Sequence, residues 1–335
     1  MAGNAGRRQA RCAAGGSAGL GHRAWALDTA LALSRAQAAY LGLALGDALG
    51  ATVEFMTPRE IADLHGVHCD IIGGGWLRLR PGCVTDDTTM ALALGQAILD
   101  QAGRVDALAC ARAFDAWMRG KPVDIGNTVR RNLIRFRQTG VPLAPASRHD
   151  AGNGAVMRLL PAVLAMLGAS EAEVVAAVNA QAWVTHNNNL SDAACAFLAL
   201  AVQDAVRGAS LRDVYRCRIQ PFIAAYPLYN WRGRNNDNPS GYVVDTLRAV
   251  LQALMTTGDF EECLIDVVNR GGDADTTGAI AGMLAGALYG MRALPIRWLS
   301  ALDNDIRLRV SAQAQALLGL SPAFDKASCT AGRLV

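Results

Sequence analysis

No Cys-x-x-Cys pair occurs in the chain, although its 335 residues include eight cysteines, at 12, 69, 83, 110, 195, 217, 263 and 329. Their dispersal argues against a structural zinc or a disulfide framework and fits reduced thiols in a cytoplasm. An excess of one charge is also missing. With 32 basic and 29 acidic residues the net charge is +3, so nothing calls for nucleic acid or an anionic membrane as partner. Nor is there a transmembrane segment. The longest uncharged apolar stretch near the end, 276–291, is broken by four glycines and falls short of the roughly 18–20 residues a span needs. It reads as a buried helix. β-Branched runs are short and scattered while Ala and Leu recur, which favours helices.

Residues 1–21 are rich in Gly, Ala and Arg, with no apolar block and no periodicity. Arg7-Arg8 lacks the continuous apolar region that follows a twin-arginine signal. A disordered extension over 1–30, or a start assigned too early, is expected, followed by one compact domain over 31–325 and a tail over 326–335. Helical spacing of apolar residues begins at Leu31, with Asp47 interrupting an otherwise buried face. Asp47 and Glu54 are seven apart and share a face if that helix runs so far. Further helices are predicted at 86–99, 104–119, 126–138, 155–168, 171–183, 190–207, 241–256 and 259–269. The two long loops are 142–153 and 227–240. The last strong helix carries Gly278, Gly282, Gly286 and Gly290. Each glycine costs roughly 1 kcal/mol against alanine, so a stripe of four implies a second helix in close approach.

Two segments share one design, in which a loop leads into carboxylates and threonines and then into an apolar helix. They are Thr85-Asp86-Asp87-Thr88-Thr89 and Gly271-Gly272-Asp273-Ala274-Asp275-Thr276-Thr277. Either alone is explained about as well by capping, with Thr85 as N-cap and carboxylates complementing the helix dipole. Two such clusters suggest a shared site, whose four carboxylates repel unless cations balance them. Oxygen donors without His or Cys favour Mg²⁺ or Mn²⁺ over zinc. By contrast His65-x-x-His68-Cys69 has no matching partners and reads as ordinary polar and core residues.

Five segments in order resemble the motifs of the ADP-ribosylglycohydrolases. These are Leu43-Ala44-Leu45-Gly46-Asp47-Ala48-Leu49-Gly50 with Glu54, then Thr85-Asp86-Asp87-Thr88, then Gly152-Asn153-Gly154-Ala155-Val156-Met157-Arg158. Thr185-His186 and 269–278 complete the set. Asp124-Ile125-Gly126-Asn127-Thr128 and 238–246 are similar to the branch of that family that acts on dinitrogenase reductase. The resemblance implies an all-α, single compact orthogonal helical domain. It also implies two Mn²⁺ (or Mg²⁺) held by Thr85, Asp86, Asp87, Asp273, Asp275 and Thr276. The implied reaction removes ADP-ribose from an arginine of dinitrogenase reductase, the nitrogenase iron protein, and so restores nitrogen fixation. A cytoplasmic monomer is expected, with regulation by a PII signalling protein and an ammonium channel that recruits it to the membrane.

Glu54 and Asp124 are the catalytic candidates. Glu54 would contact water or the metal shell, and Asp124 would meet the guanidinium as nucleophile or binder. Substrate contacts are assigned to Asn127, to the backbone amides of Gly152-Asn153-Gly154 as a pyrophosphate cradle at a helix start, to His186, to Tyr229 or Trp231 as an adenine platform, and to Tyr242. Alternatives are hydrolysis of another linkage (serine, O-acetyl-ADP-ribose or nucleic acid), a non-catalytic ADP-ribose-binding protein, and an unrelated Mg²⁺-dependent phosphatase.

Overall fold

The computed structural model describes residues 27–324, so the expected N-terminal extension falls almost wholly, and the C-terminal tail entirely, outside the described residues. Those residues form α1 (Thr29–Gly50), α2 (Pro58–His65), α3 (Asp86–Asp100), α4 (Ala107–Arg119), α5 (Asn127–Thr139), α6 (Leu160–Ala165), α7 (Glu171–Ala182) and α8 (Asn189–Val206). They continue as α9 (Leu211–Val214), α10 (Gln220–Ala225), α11 (Val243–Thr256), α12 (Phe260–Asn269), α13 (Ala274–Tyr289), α14 (Ile296–Ala301) and α15 (Asn304–Gly319). Among the described residues there is no strand. Two isolated bridges, Gly74 with Leu79 and Gly152 with Tyr242, are the ladder-like pairings among the described residues.

Helices α1 and α13 form the centre. Every residue of α13 from Ala274 to Leu288 is buried, as is every residue of α1 from Ala38 to Gly50. The glycine stripe of α13 finds its partner here, and the partner carries a stripe of its own. A Cβ on Gly46 would stand 2.0 Å from the Gly278 carbonyl oxygen, and one on Gly282 would stand 2.0 Å from that of Gly42. Gly286 sits equally close to the Ala38 carbonyl. The backbones therefore touch along several turns, which rigidly fixes the N-terminus of α13 against the C-terminal end of α1. Outer helices bury only one stripe, such as Val129, Asn132, Leu133 and Phe136 of α5, the pattern of helices with one face in solvent.

Helices α9, α10, α14 and α15 were not predicted, and two further departures from the predicted elements have local causes. The segment predicted as helix 155–168 is helical only over α6. Residues 154–158 form turns because the Val156 and Met157 amides both return to the Asn153 carbonyl, and Pro161 sits in the first turn of α6. Helix α2 was not predicted, although its signals are present in Thr57-Pro58-Arg59-Glu60. Thr57 and Glu60 form a reciprocal capping box with Pro58 in the first turn. In the His65-x-x-His68 segment, the His68 ring nitrogen bonds the Leu49 carbonyl at 2.8 Å, a packing role.

Candidate active site and acidic centre

Thr85 occupies the N-cap position of α3, but its side chain makes no capping bond. The cap comes from another helix. Asp47 of α1 accepts from the Thr85 amide at 2.8 Å and the Thr88 amide at 3.0 Å, and also from the Thr88 hydroxyl. This frees the Thr85 hydroxyl, which lies 3.2 Å from carboxylate oxygens of both Asp87 and Asp275. Thr276 reaches Asp87 at 3.3 Å. The second cluster repeats the feature: Asp273 is the N-cap residue of α13 without capping its helix, and its carboxylate accepts from Asn153 at 2.6 Å. Capping therefore does not account for Asp87 or Asp273, although Asp275 does take the first-turn Thr276 amide at 2.8 Å. The two meet across 190 residues of sequence.

Gly271 and Gly272 make the second cluster's approach possible. Both have positive φ, and a Cβ on either would lie 2.1 Å from a carbonyl oxygen, that of Met56 or of Pro239. The Gly272 amide donates to Met56 and its carbonyl accepts from Phe55. These bonds tie the Glu54 turn to the start of α13. Glu54 lies beyond the end of α1, in a turn rather than on a shared helical face with Asp47. Ligand oxygens of Glu54, Asp273 and Asp275 lie within 4.8 Å of one another.

A cavity of about 320 Å³ opens over this cluster. Its lining includes Glu54, Asp86, Asp273, Asp275 and Thr276, with Asp124, Asn127, Gly152, Asn153, Gly154 and His186 around them. Thr85 and Asp87 are fully buried and do not line it. A larger groove of about 970 Å³ lies between α3, α4 and α15, but its lining is rich in alanine and has one carboxylate, Asp100. Its other polar side chains are arginines, glutamines and Thr89, and it has no second carboxylate, histidine or cysteine to pair with Asp100.

Burial dominates the electrostatics of the small cavity. It pushes Glu54 up to about 8, opposed by the Trp76 hydrogen bond and reinforced by Asp273, Asp124 and Asp86. Asp86 rises to about 7 through burial and then the charge of Asp124. Asp47 rises to about 6 through burial, opposed by its bonds to Thr88 and Thr85. Asp87 and Asp275 are driven well above the carboxylate range by burial and by each other's neighbourhood of acids. No lysine or arginine lines the cavity. One Asp87 oxygen, Oδ1, is buried with no hydrogen-bond partner. An all-oxygen set with an orphaned acceptor and no compensating side-chain cation fits hard divalent ions.

That balance predicts a pH-dependent response to metal. These carboxyls hold protons more tightly in the folded chain than in the unfolded one. Their contribution to stability is therefore fullest below about pH 4 and is lost as pH rises through about 6 to 8. Cations relieve the same repulsion, so the gain in Tm from Mn²⁺ or Mg²⁺ is expected to be larger by several degrees at about pH 8 than at about pH 5. Calorimetry with and without chelator measures it; a gain that ignores pH contradicts this balance.

Trp76 follows the three glycines 73–75 and was not singled out in the sequence. Its Nε1 donates to Glu54 at 2.6 Å while half its surface is exposed. Trp76→Phe removes the one interaction that lowers the Glu54 pKa. The acid limb of the kcat–pH profile is then expected to move up and turnover near pH 7 to fall about tenfold, with little change in Tm. An unmoved acid limb argues against Glu54 as the base.

Other sequence assignments change. Tyr229 is not at the cavity: it is fully buried, its hydroxyl bonds the Leu190 carbonyl, and its ring packs on Phe222. Trp231 is also buried. An adenine platform from these two is excluded because both side chains turn into the core and neither lines the cavity, while the neighbouring Leu228 stays exposed. Tyr242 pairs with Gly152 through a backbone bridge but does not line the cavity. The Asn153 backbone amide is already spent on the Gly241 carbonyl and no helix starts there, so no helix dipole stands behind this wall, although Gly152, Asn153 and Gly154 all line the cavity. The two glycines have another cause. A Cβ on Gly152 would lie 2.9 Å from His186 Nε2, and one on Gly154 2.8 Å from Cε1.

An all-helical fold with two converged acidic clusters beneath a small polar cavity defines the class, and comparison names it. The ADP-ribosylglycohydrolase family model matches residues 28–325, and the chain belongs to that family. It is 47% identical over 289 residues to the ADP-ribosyl-[dinitrogen reductase] glycohydrolase of Rhodospirillum rubrum, covering 86% of this chain and 96% of that protein. It is 35% identical over 319 residues to the ADP-ribosylarginine hydrolase Tri1 of Pseudomonas putida (strain GB-1), covering 91% and 83%. A solved structure described as an ADP-ribosylglycohydrolase-related protein complex matches with a TM-score of 0.77 at 36% identity, covering 87% of this chain and 99% of that one. No helix among the described residues is long and apolar enough to cross a membrane.

Proposed function

We propose that this chain hydrolyses the N-glycosidic bond between ADP-ribose and an arginine side chain, with ADP-ribosylated dinitrogenase reductase as substrate. The reading is supported by the relatives' activities on dinitrogenase reductase and on ADP-ribosylarginine. One observation carries it in the molecule: Asp124 lines the same cavity as the acidic cluster, with no basic side chain between them. A guanidinium entering that cavity finds a carboxylate at Asp124 and no competing cation.

Asp86, Asp87, Asp273 and Asp275 with Thr85 and Thr276 would hold a pair of divalent ions, Mn²⁺ or Mg²⁺. Such ions supply Lewis acidity and an anchor for ribose hydroxyls. The protein's own groups divide the remaining work. Asp124 pairs with the guanidinium and stabilises positive charge as the bond to the anomeric carbon breaks through an oxocarbenium-like state. Glu54, held at the cavity wall by the Trp76 hydrogen bond, takes the proton of the attacking water. Water adds across the bond, its hydroxyl going to the anomeric carbon and a proton to the departing guanidine nitrogen. Asn127 and His186 contact the ADP-ribosyl group from the wall. Free ADP-ribose released from arginine-linked, serine-linked and O-acetyl substrates tests the reading; release from serine but not arginine refutes it.

A further inference from the structure

Arg158 is the least accountable side chain in the core. It is fully buried, and among the described residues no carboxylate pairs with it. Its Nε donates to Gln181 Oε1 at 2.9 Å. Its Nη2 donates to the Gln181 carbonyl at 3.1 Å and to Thr185 Oγ1 at 2.8 Å. Nη1 points at the Met90 sulfur, and the guanidinium lies 4.3 Å above the Phe114 ring. A buried cation without a counter-ion is costly. An apolar residue or a glutamine would fill this place at lower cost, so its charge and donors need a reason.

The reason lies one bond further on. Thr185 Oγ1 has two polar neighbours, Arg158 Nη2 and His186 Nδ1, the latter also at 2.8 Å. A guanidinium can only donate, so Thr185 must accept from it. The hydroxyl proton then has one acceptor left, which is His186 Nδ1. The opposite arrangement, with Nδ1–H donating to Thr185, leaves a buried hydroxyl proton with no acceptor. The imidazole proton is thereby placed on Nε2, the atom that faces Gly152 in the cavity wall. The Thr185 backbone is itself pinned, because Asn132 Nδ2 donates to its carbonyl at 2.8 Å.

We propose that Arg158 and Thr185 are positioning residues that lock His186 in its Nε2–H tautomer, so that it presents a hydrogen-bond donor to a ribose or phosphate oxygen of the bound ADP-ribosyl group. The ligand half of this statement rests on the hydrolase reading; the tautomer half does not. Burial, followed by the Arg158 charge, also holds His186 down to about 3, so the imidazole is a neutral donor across the working range. A neutral donor orients an oxygen without adding a cation beside the site that must receive a guanidinium. The glycines at 152 and 154 are the complement of this ring, since a side chain on either would collide with it.

The test is nitrogen NMR of the full chain labelled with ¹⁵N-histidine, with the His186 signals assigned from a His186→Asn spectrum. The wild type is expected to show an acceptor-type Nδ1 and a protonated Nε2. Thr185→Val keeps the shape but removes the relay. Its His186 is expected to become a mixture of tautomers, with KM for the arginine-linked substrate raised about tenfold, the worth of one hydrogen bond, and kcat changed less. Thr185→Ser, which keeps the hydroxyl, restores both. Arg158→Lys keeps the charge and donors but not the fork, and it is read by the same spectrum. A wild-type proton on Nδ1, or an unchanged tautomer in Thr185→Val, overturns the proposal even if the variant enzyme has lost activity. A tautomer that moves as expected with KM unchanged overturns the ligand half. A wild type that releases nothing from arginine refutes the hydrolase reading and leaves the spectrum to judge the tautomer.

Discussion

Asp275→Asn is expected to lower turnover roughly 10³-fold, the order seen when a transition-state-stabilising electrostatic group is removed, while raising the Tm of cation-free protein. The two signs come from one cause. Asp275 is buried against Asp87, Asp273 and Glu54, and its pKa is driven well above the carboxylate range. An amide of the same shape removes a charge from the cluster, the dominant effect expected here, although its single oxygen serves only one of the two bonds Asp275 accepts, from the Thr85 hydroxyl at 3.2 Å and the Thr276 amide at 2.8 Å. Without cations the fold is relieved of repulsion, most at alkaline pH. With Mn²⁺ or Mg²⁺ present the order reverses, because the wild type gains more from binding. Thermal scans of both proteins with chelator and with cation, alongside turnover, measure the full pattern. Loss of activity with a lowered cation-free Tm points instead to ordinary structural damage.

Gly278→Ala carries the largest expected effect on stability. Its Cβ would lie 2.4 Å from the Gly46 carbonyl oxygen and 3.2 Å from a Val268 methyl. The nearest obstacle is backbone in the most buried helix pair of the molecule, so it cannot move aside as a flexible side chain does. Overpacking of this kind costs about 3 kcal/mol or more, against a helix-propensity gain of about 1 kcal/mol. For a chain of this size a net loss of ~2 kcal/mol lowers Tm by roughly 3 °C. Because α13 also presents Asp273, Asp275 and Thr276, separation of α1 from α13 is expected to cost activity at temperatures where the variant is still folded. Gly319→Ala is the control: no atom stands within 4 Å of its added Cβ, and its Tm is expected to hold or rise slightly. Equal behaviour of the two variants contradicts the close-approach account.

The all-helical class, the closeness implied by the α13 stripe and the acidic design of both clusters were legible in the sequence because each is a local pattern. What was illegible depended on partners far along the chain. The residue that faces Gly278 is Gly46, and no spacing rule pairs them. Thr85 reads as an N-cap, and only the structure shows that Asp47 takes over that role and turns the threonine toward Asp275. A hint was present, since a carboxylate in an apolar helix face needs a partner. Tyr229 and Trp231 read as exposed loop aromatics because their surroundings are rich in Pro, Asn, Arg and Gly, yet the loop folds back and buries them. Gly152 and Gly154 read as an anion cradle, while the structure sets the His186 ring against them. Arg158 and Thr185 were legible only as motif letters; their sequence separation of 27 residues hides the relay.

The central claim is that the converged clusters hold divalent cations for hydrolysis of arginine-linked ADP-ribose, and it is tested most directly by one assay. ADP-ribose released from ADP-ribosylated dinitrogenase reductase is measured with chelated protein as Mn²⁺ is titrated in. The account predicts no release without cation and saturable recovery as Mn²⁺ is added. Release that is as fast in chelator as in Mn²⁺, or no release at any Mn²⁺ concentration, contradicts it.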